Sequence, residues 1–352
     1  MKIVTLHLIC LWFVCVGGVV PCAGQEAPLD LKALLRQSME ATNNLPFTGQ
    51  LIFHRRAQDQ RWRTATQVQR LPSGDKRMEI TYPEAAQGIV MLHDKTGLWR
   101  TPLNEEVRKT LDQDQKVDME IFLRAYREKE ILNLSRLERL GLLFKNYNIT
   151  FENNEKFADR DAFQIKITGK APHRPAVKIW IDCQTKMQLK YVRFTPDGTF
   201  EESFFFESID LQPNFSQSAF STEGLDQFFS YNAAKEEQEP DLDFTPIEPP
   251  AIPAGFVLRS NHRWKRGEGL VQHSVYTDGM AFLSLFQRRQ TEQEIQKQKE
   301  EECSSDTIKV FERRGTKVYM REINGFRYSM VGDIAADEIY KMLSSIPATP
   351  KK

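Results

Sequence analysis

The 352-residue chain has no surplus of either charge: 48 Lys and Arg stand against 48 Asp and Glu. A nucleic-acid binder needs a basic balance to displace counterions from phosphates, and this composition does not supply one. With 40% hydrophobic residues it is equally unlike an acidic, disordered chain. Cysteine is scarce, and three of the five, Cys10, Cys15 and Cys22, fall within the first 24 residues. That leaves Cys183 and Cys303, which make no CxxC pair and too few thiols for a metal site of their own. Histidine is scarce too: His54, His93, His173, His262 and His273 follow the opening segment, none at HExxH spacing. There is no GxSxG elbow, no GxxxxGK[ST] loop and no GxGxxG turn. Ser73-Gly74-Asp75-Lys76 spells SxxK but sits among turn residues without its companion motifs, and Asp182 and Asp210 lie at strand ends as turn-formers. The expectation is a protein without catalytic residues, metal or cofactor.

One long apolar run is present, Ile3 to Val20, after a single positive side chain at Lys2 and before the small residues Pro21-Cys22-Ala23-Gly24. That layout is a secretory signal, cut after Ala23 or Gly24. An uncleaved anchor competes with this reading, against His7, Gly17 and Gly18 inside the run; lipidation of Cys22 competes too, against Val19-Val20-Pro21. The expected mature chain is exported and soluble. In an oxidising compartment Cys183 and Cys303 either form one disulfide or remain two thiols.

Leu29–Asn44 reads as a helix, with Leu31, Leu34, Leu35 and Met39 on one stripe. Strand patterns follow at 47–54, 61–70, 76–82, 88–93 and 96–100, with Pro72-Ser73-Gly74-Asp75 between two of them. Residues 118–144 change to helical spacing, through Ile121, Leu123, Tyr126, Leu134, Leu137 and Leu140. Strands resume at 147–151, 162–168, 176–183, 188–195 and 199–211, the last two joined by the turn Pro196-Asp197-Gly198. The sum is a long antiparallel sheet interrupted by helices.

Five prolines at 240, 246, 249, 250 and 253 then mark residues 233–254 as an acid-rich linker, or alternatively a strap laid on one domain. A second, smaller domain begins at Gly255, with strands at 256–264, 270–276, 281–286, 307–312, 317–322 and 326–331 and a closing helix over 335–345. A polar insert occupies 287–306. The expected organisation is signal 1–24, first domain 25–232, linker 233–254, second domain 255–347 and tail 348–352.

With no chemistry in view, apolar surface is what remains. Phe47, Leu51 and Phe53 share one face of their strand, and Phe204-Phe205-Phe206 form a run in another. Phe53, Trp62, Trp99, Phe122, Phe204 and Phe206 are the residues expected to line an apolar groove, against the alternative that each is ordinary core.

Two stretches carry a resemblance. Ile252-Pro253-Ala254-Gly255-Phe256 leads to Tyr276-Thr277-Asp278-Gly279-Met280-Ala281-Phe282-Leu283-Ser284-Leu285-Phe286 and then to Asn324-Gly325-Phe326-Arg327-Tyr328-Ser329-Met330-Val331-Gly332-Asp333. This order resembles the C-terminal domain of the MucB/RseB family, periplasmic regulators of the envelope-stress sigma factor. Pro46-Phe47-Thr48-Gly49 and 185–211 are similar to that family's N-terminal domain. The resemblance implies an α+β protein: an N-terminal open antiparallel half-barrel packed with helices, as in the LolA/LolB lipoprotein carriers, plus a smaller C-terminal α+β domain. It implies a periplasmic binding protein, not an enzyme, whose partner is the periplasmic region of a membrane anti-sigma factor that it shields from proteolysis. Its groove would sense acyl chains, lipopolysaccharide or lipoprotein. On the stretch carrying the resemblance, Tyr276, Asp278 and Phe286 are the expected partner-binding residues. The competing expectations are a periplasmic lipid or lipoprotein carrier and an enzyme of envelope lipids.

Overall fold

A computed structural model describes residues 29–57, 60–102, 136–230, 240–266, 269–300, 307–313 and 316–347. The expected signal segment, Phe122 and Cys303 lie outside the described residues.

Asp30 opens helix α1 (Leu31–Asn44): its carboxylate accepts the backbone N–H groups of Lys32 and Ala33, both at 3.0 Å, satisfying donors that a helix start leaves orphaned. Pro46 ends it by forcing Leu45 into extended backbone. Ten strands then build an antiparallel sheet with helix α2 (Arg136–Asn146) inserted after the fifth. They are β1 (Phe47–Ala57), β2 (Gln60–Arg70), β3 (Lys76–Tyr82), β4 (Val90–His93), β5 (Gly97–Arg100), β6 (Tyr147–Phe157), β7 (Arg160–Gly169), β8 (Ala176–Asp182), β9 (Gln188–Phe194) and β10 (Phe200–Asp210). An eleventh, β11 (Asp226–Ser230), adds to β5, so the order runs β11-β5-β4-β3-β2-β1-β10-β9-β8-β7-β6, open at both ends. Asp182 is the turn-former expected of it: Arg160 Nε lies 2.6 Å from Oδ2, while the Thr185 N–H and hydroxyl reach Oδ1 at 2.6 and 2.7 Å. Burial alone would raise this carboxyl; the Arg160 and Thr185 bonds outweigh it and hold the group below the usual range.

Leu34 and Leu35 of α1 and Leu140 of α2 pack on Ile165, Ile167, Ile179 and Ile181, so both helices cover one face of β7 and β8. Phe47, Val68, Met78, Met91 and Phe206 form a second apolar cluster under β1 to β4.

The smaller sheet is also antiparallel: β12 (Val257–Arg266), β13 (Gly269–Thr277), β14 (Phe282–Arg289), β17 (Phe326–Gly332), β16 (Thr316–Ile323) and β15 (Lys309–Arg313), in that spatial order. Helix α3 (Glu292–Glu300) lies within the polar insert and helix α4 (Ala336–Ser344) closes the chain. Ile339, Met342 and Leu343 of α4 bury against Leu283, Leu285, Tyr319 and Met330, a contribution of about 1.5–3 kcal/mol for each apolar side chain. Arg321 caps the end of α4, donating to the Leu343 and Ile346 carbonyls at 2.6 and 2.7 Å, where the helix concentrates negative charge.

The prolines at 240–253 do not mark a solvated linker over the described part. Ile247 and Ile252 pack on the second sheet's core. The Gln287 side chain brackets Ile247, accepting its N–H and donating to its carbonyl, each at 2.9 Å. Arg289 holds Asp243 at 3.0 Å. Residues 240–254 are thus a strap: one buried amide side chain supplies the hydrogen bonds that an irregular backbone would otherwise lack.

Candidate functional site: an aromatic row beside a buried joint

Pairing places Ile179, Tyr191, Phe204, Phe53 and Thr64 opposite one another across β8, β9, β10, β1 and β2. Side chains of one such row share a face, here the face that carries α1 and α2. The Tyr191 and Phe204 rings stack with centroids 5.2 Å apart and planes at 9°. Next to this row lies a charged one, Val177, Arg193, Glu202, Arg55 and Trp62. Arg193 is buried, with Nε 2.8 Å from Glu201 and Nη2 3.1 Å from Asp333, which follows the last strand of the second sheet. Burial and then the neighbouring Glu201 raise the Glu202 carboxyl, and burial pushes the Tyr191 phenol up to about 12. The arrangement offers aromatic surface with a cation, a carboxyl and a phenol at its border. It positions no nucleophile against a base.

Of the six residues expected to line one groove, the structure brings Phe53 and Phe204 together and puts Trp62 one row away on the same face. Phe206 is core, packed edge-on to Phe47 at 5.4 Å. Trp99 is on the other face: it pairs with Leu92, which pairs with Arg77, whereas the row of Phe53's face passes through Met78 and Met91. Alternation along β3 to β5 therefore excludes it from a shared concavity. Tyr191 and Arg193 were not anticipated; their only signal is their place beside Leu189 and Val192 in an alternating strand.

The two sheets meet in a buried polar joint. Asp278, wholly buried in the β13–β14 turn, accepts the Tyr147 hydroxyl at 2.8 Å and lies 3.2 Å from Arg174 Nε, both from the larger sheet and its loops. Its other oxygen accepts the N–H groups of Met280 and Ala281 at 3.1 and 2.8 Å, fixing the turn. Arg174 also pairs with Glu338 and donates to the Ala254 carbonyl at 3.1 Å. Burial and then the Asp278 charge push the Tyr147 phenol far above its ordinary range, so it stays a donor. Asn146 donates to the carbonyls of Gly255 and Asp278 at 3.1 and 2.8 Å. Gly279 is required here: its φ is +105°, and a Cβ would sit 2.7 Å from the Leu143 nitrogen. Arg174, between His173 and Pro175 in a loop, gives no hint in the sequence of being buried.

This corrects the expected partner surface. Asp278 and Tyr276 are buried, the first in the joint and the second in the core, so neither is part of the exposed surface of the chain. Phe286 is elsewhere, stacked on His273 at 4.2 Å with the Trp264 ring edge-on at 6.1 Å. Cys183 is disulfide-bonded; its partner lies outside the described residues. Among the described residues no group of His, Cys, Asp and Glu could hold a metal ion. No helix among them is long and apolar enough to cross a membrane.

The described residues form two open antiparallel sheets joined through a polar seam, with the larger one carrying an apolar row under its helices. Residues 90–223, from the first residue of β4 to just short of β11, match the family model of the MucB/RseB N-terminal domain. The fold is similar to that of MucB in complex with MucA(peri), at 13% identity and a TM-score of 0.59, over 90% of this chain and 98% of that one. It is similar to the Pseudomonas aeruginosa MucA/MucB complex, at 14% and 0.58 over 90% and 98%, and to MucB by itself, at 13% and 0.50 over 90% and 97%. No curated protein matches the chain.

Proposed function

We propose that this chain is a periplasmic regulator that binds the periplasmic region of an anti-sigma factor and protects it from regulated proteolysis. In this reading the row of Tyr191, Phe204 and Phe53 senses an acyl chain of lipid or lipopolysaccharide. The observation that carries it is the MucB/RseB N-terminal match, within a fold that parallels MucB in complex with MucA(peri) over 90% of the chain. The buried joint supports the same reading, since it gives a ligand on the first sheet a rigid connection to the second. The test is to mix the purified chain with the periplasmic segment of the single-pass anti-sigma protein of its own organism and follow cleavage by the initiating protease. Cleavage should slow in proportion to the chain added; unchanged cleavage together with no crosslinked complex refutes the proposal. A second reading, a lipid or lipoprotein carrier, draws on the aromatic row alone. It requires a stoichiometric acyl ligand, seen by native mass spectrometry and handed to an acceptor, and gives the second sheet no task.

A further inference from the structure

Two sheets leave four edge strands among the described residues, and they are not alike. β11 and β15 have five residues each, and β15 mixes Lys309 and Arg313 with Glu312. β6 has eleven, with Glu152 and Glu155 beside Lys156. β12 has ten residues, pairs on one side only, with β13, and carries Arg259, Arg263, Lys265 and Arg266 without a single carboxylate. In a chain of zero net charge this is a local concentration of one sign. An edge strand presents unpaired N–H and C=O groups, a template for another strand. Like charges along it repel the same edge of a second copy and admit a segment of opposite sign.

The two flanks of β12 differ in chemistry. His262 and Trp264 share the face on which His273 and Phe286 stack, and Trp264 keeps 36% of its surface exposed. Arg263 and Lys265 point to the opposite face. At the bulge between Leu258 and Ser260, the Nε and Nη2 of Arg259 and the Oγ of Ser260 are shielded from solvent and make no hydrogen bond. Val257 and Leu258 just before it are exposed. Shielded donors without an acceptor are costly, and a carboxylate is the acceptor that suits a guanidinium.

We propose that the outer edge of β12 accepts an extended polypeptide segment as a seventh strand, one that alternates acidic with apolar side chains. The acidic set lies beside Arg263 and Lys265 with one carboxylate at Arg259, and the apolar set continues the Trp264–His273–Phe286 face. Main-chain hydrogen bonds supply affinity and the alternating flanks supply specificity. A lipid surface would use the charge but leave the strand edge unpaired, so the geometry favours a peptide. The proposal rests on the reading above in taking the partner to be a polypeptide, and it names the place and pattern of contact.

The test uses hydrogen exchange of the full mature chain with four probes: a ten-residue alternating Glu–Val peptide, its Lys–Val counterpart, the Glu–Val peptide N-methylated at alternate residues, and phosphatidylglycerol vesicles. The Glu–Val peptide is expected to slow exchange in β12. The other three probes, and the folded double variant Arg263→Glu/Lys265→Glu, should show loss of that slowing. The proposal is overturned if the N-methylated peptide works equally well, if only vesicles protect β12, or if β12 is already fully protected in the free chain. Binding of the anti-sigma segment equally to wild type and the double variant would refute this site and leave the regulator intact. Uptake of the Glu–Val peptide on β12 without any anti-sigma binding would do the reverse.

Discussion

Replacing Asp278 by Asn separates the joint between the sheets from the turn beneath it. The amide oxygen can still accept from Met280 and Ala281, as Oδ1 does in the native turn at 3.1 and 2.8 Å. The amide nitrogen then faces Arg174 Nε, which sat 3.2 Å from a carboxylate oxygen, and the Tyr147 hydroxyl at 2.8 Å. Removing one partner of a buried ion pair costs about 3–5 kcal/mol, because the other charge stays behind without compensation. Arg174 keeps Glu338 as counter-ion, so the lower figure applies, about 3 kcal/mol, or roughly two decades in the equilibrium between joined and parted sheets. The assay is urea unfolding followed by tryptophan fluorescence, with Trp62, Trp99 and Trp180 reporting on the first sheet and Trp264 on the second. Wild type should unfold in one transition seen by both sets; Asp278→Asn should unfold earlier and in two. Adding Arg174→Met to Asp278→Asn should cost less than the same change in wild type, as expected of groups that share one interaction. A single transition displaced by less than about 1 kcal/mol would refute the reasoning, since exposed pairs do no more than that.

Gly279→Ala should weaken the same joint, because a left-handed backbone with a side chain costs about 1–3 kcal/mol before the clash with Leu143 is counted; the same urea assay reads it. The docking of α3 should be acid-sensitive. Bonds from Arg288, above all, lower the Glu294 carboxyl from 4.5 to about 2, so its contribution is complete above about 4.5 and is lost as pH falls through about 2. Hydrogen exchange in α3 should rise over that window, and Glu294→Gln should abolish the dependence. Phe204→Ala removes the ring stacked on Tyr191, worth about 0.5–1.5 kcal/mol beyond its buried area, and should reduce retention of an acyl ligand in native mass spectra. Peptide mapping of the unreduced chain should recover Cys183 linked to Cys303, as expected if the other three cysteines leave with the signal; recovery of Cys183 with any other partner would refute that pairing.

Much of the fold is legible in the sequence because alternation and turn chemistry are local. The turn at Pro196-Asp197-Gly198, with Gly198 at φ +84°, lies where the residues put it. β6 is longer than its apolar pattern, because Ala158 and Asp159 turn the chain at positive φ without an Asn-Gly signal and leave the strand's outer half exposed. β11 escapes notice as well: five residues after Gly224 have no periodicity of their own and are strand only because β5 offers an edge. The strap is one of two readings that the sequence leaves open, and composition cannot choose between them. Prolines and acids announce extended backbone, whereas what holds it is Gln287, a polar residue in a strand with no visible reason to be buried.

The site needed information that no single strand contains. Alternation assigns faces within a strand, but whether two strands agree depends on register, and bulges reset it. One falls between Trp180 and Ile181 against β9, another where Glu207 is passed over in β10, and another where Thr81 is passed over in β3. Carried through these shifts, Phe53 and Phe204 come opposite each other while Trp99 goes to the far face, although all three look equally suited to a groove in the sequence. The same holds for charge. Arg174 and Asp278 each sit in a turn and read as solvated ends, and it is their shared burial that makes them the joint. A buried charge is tolerable only where its partner is supplied by the fold, so such a pair is the last feature that composition or spacing can disclose.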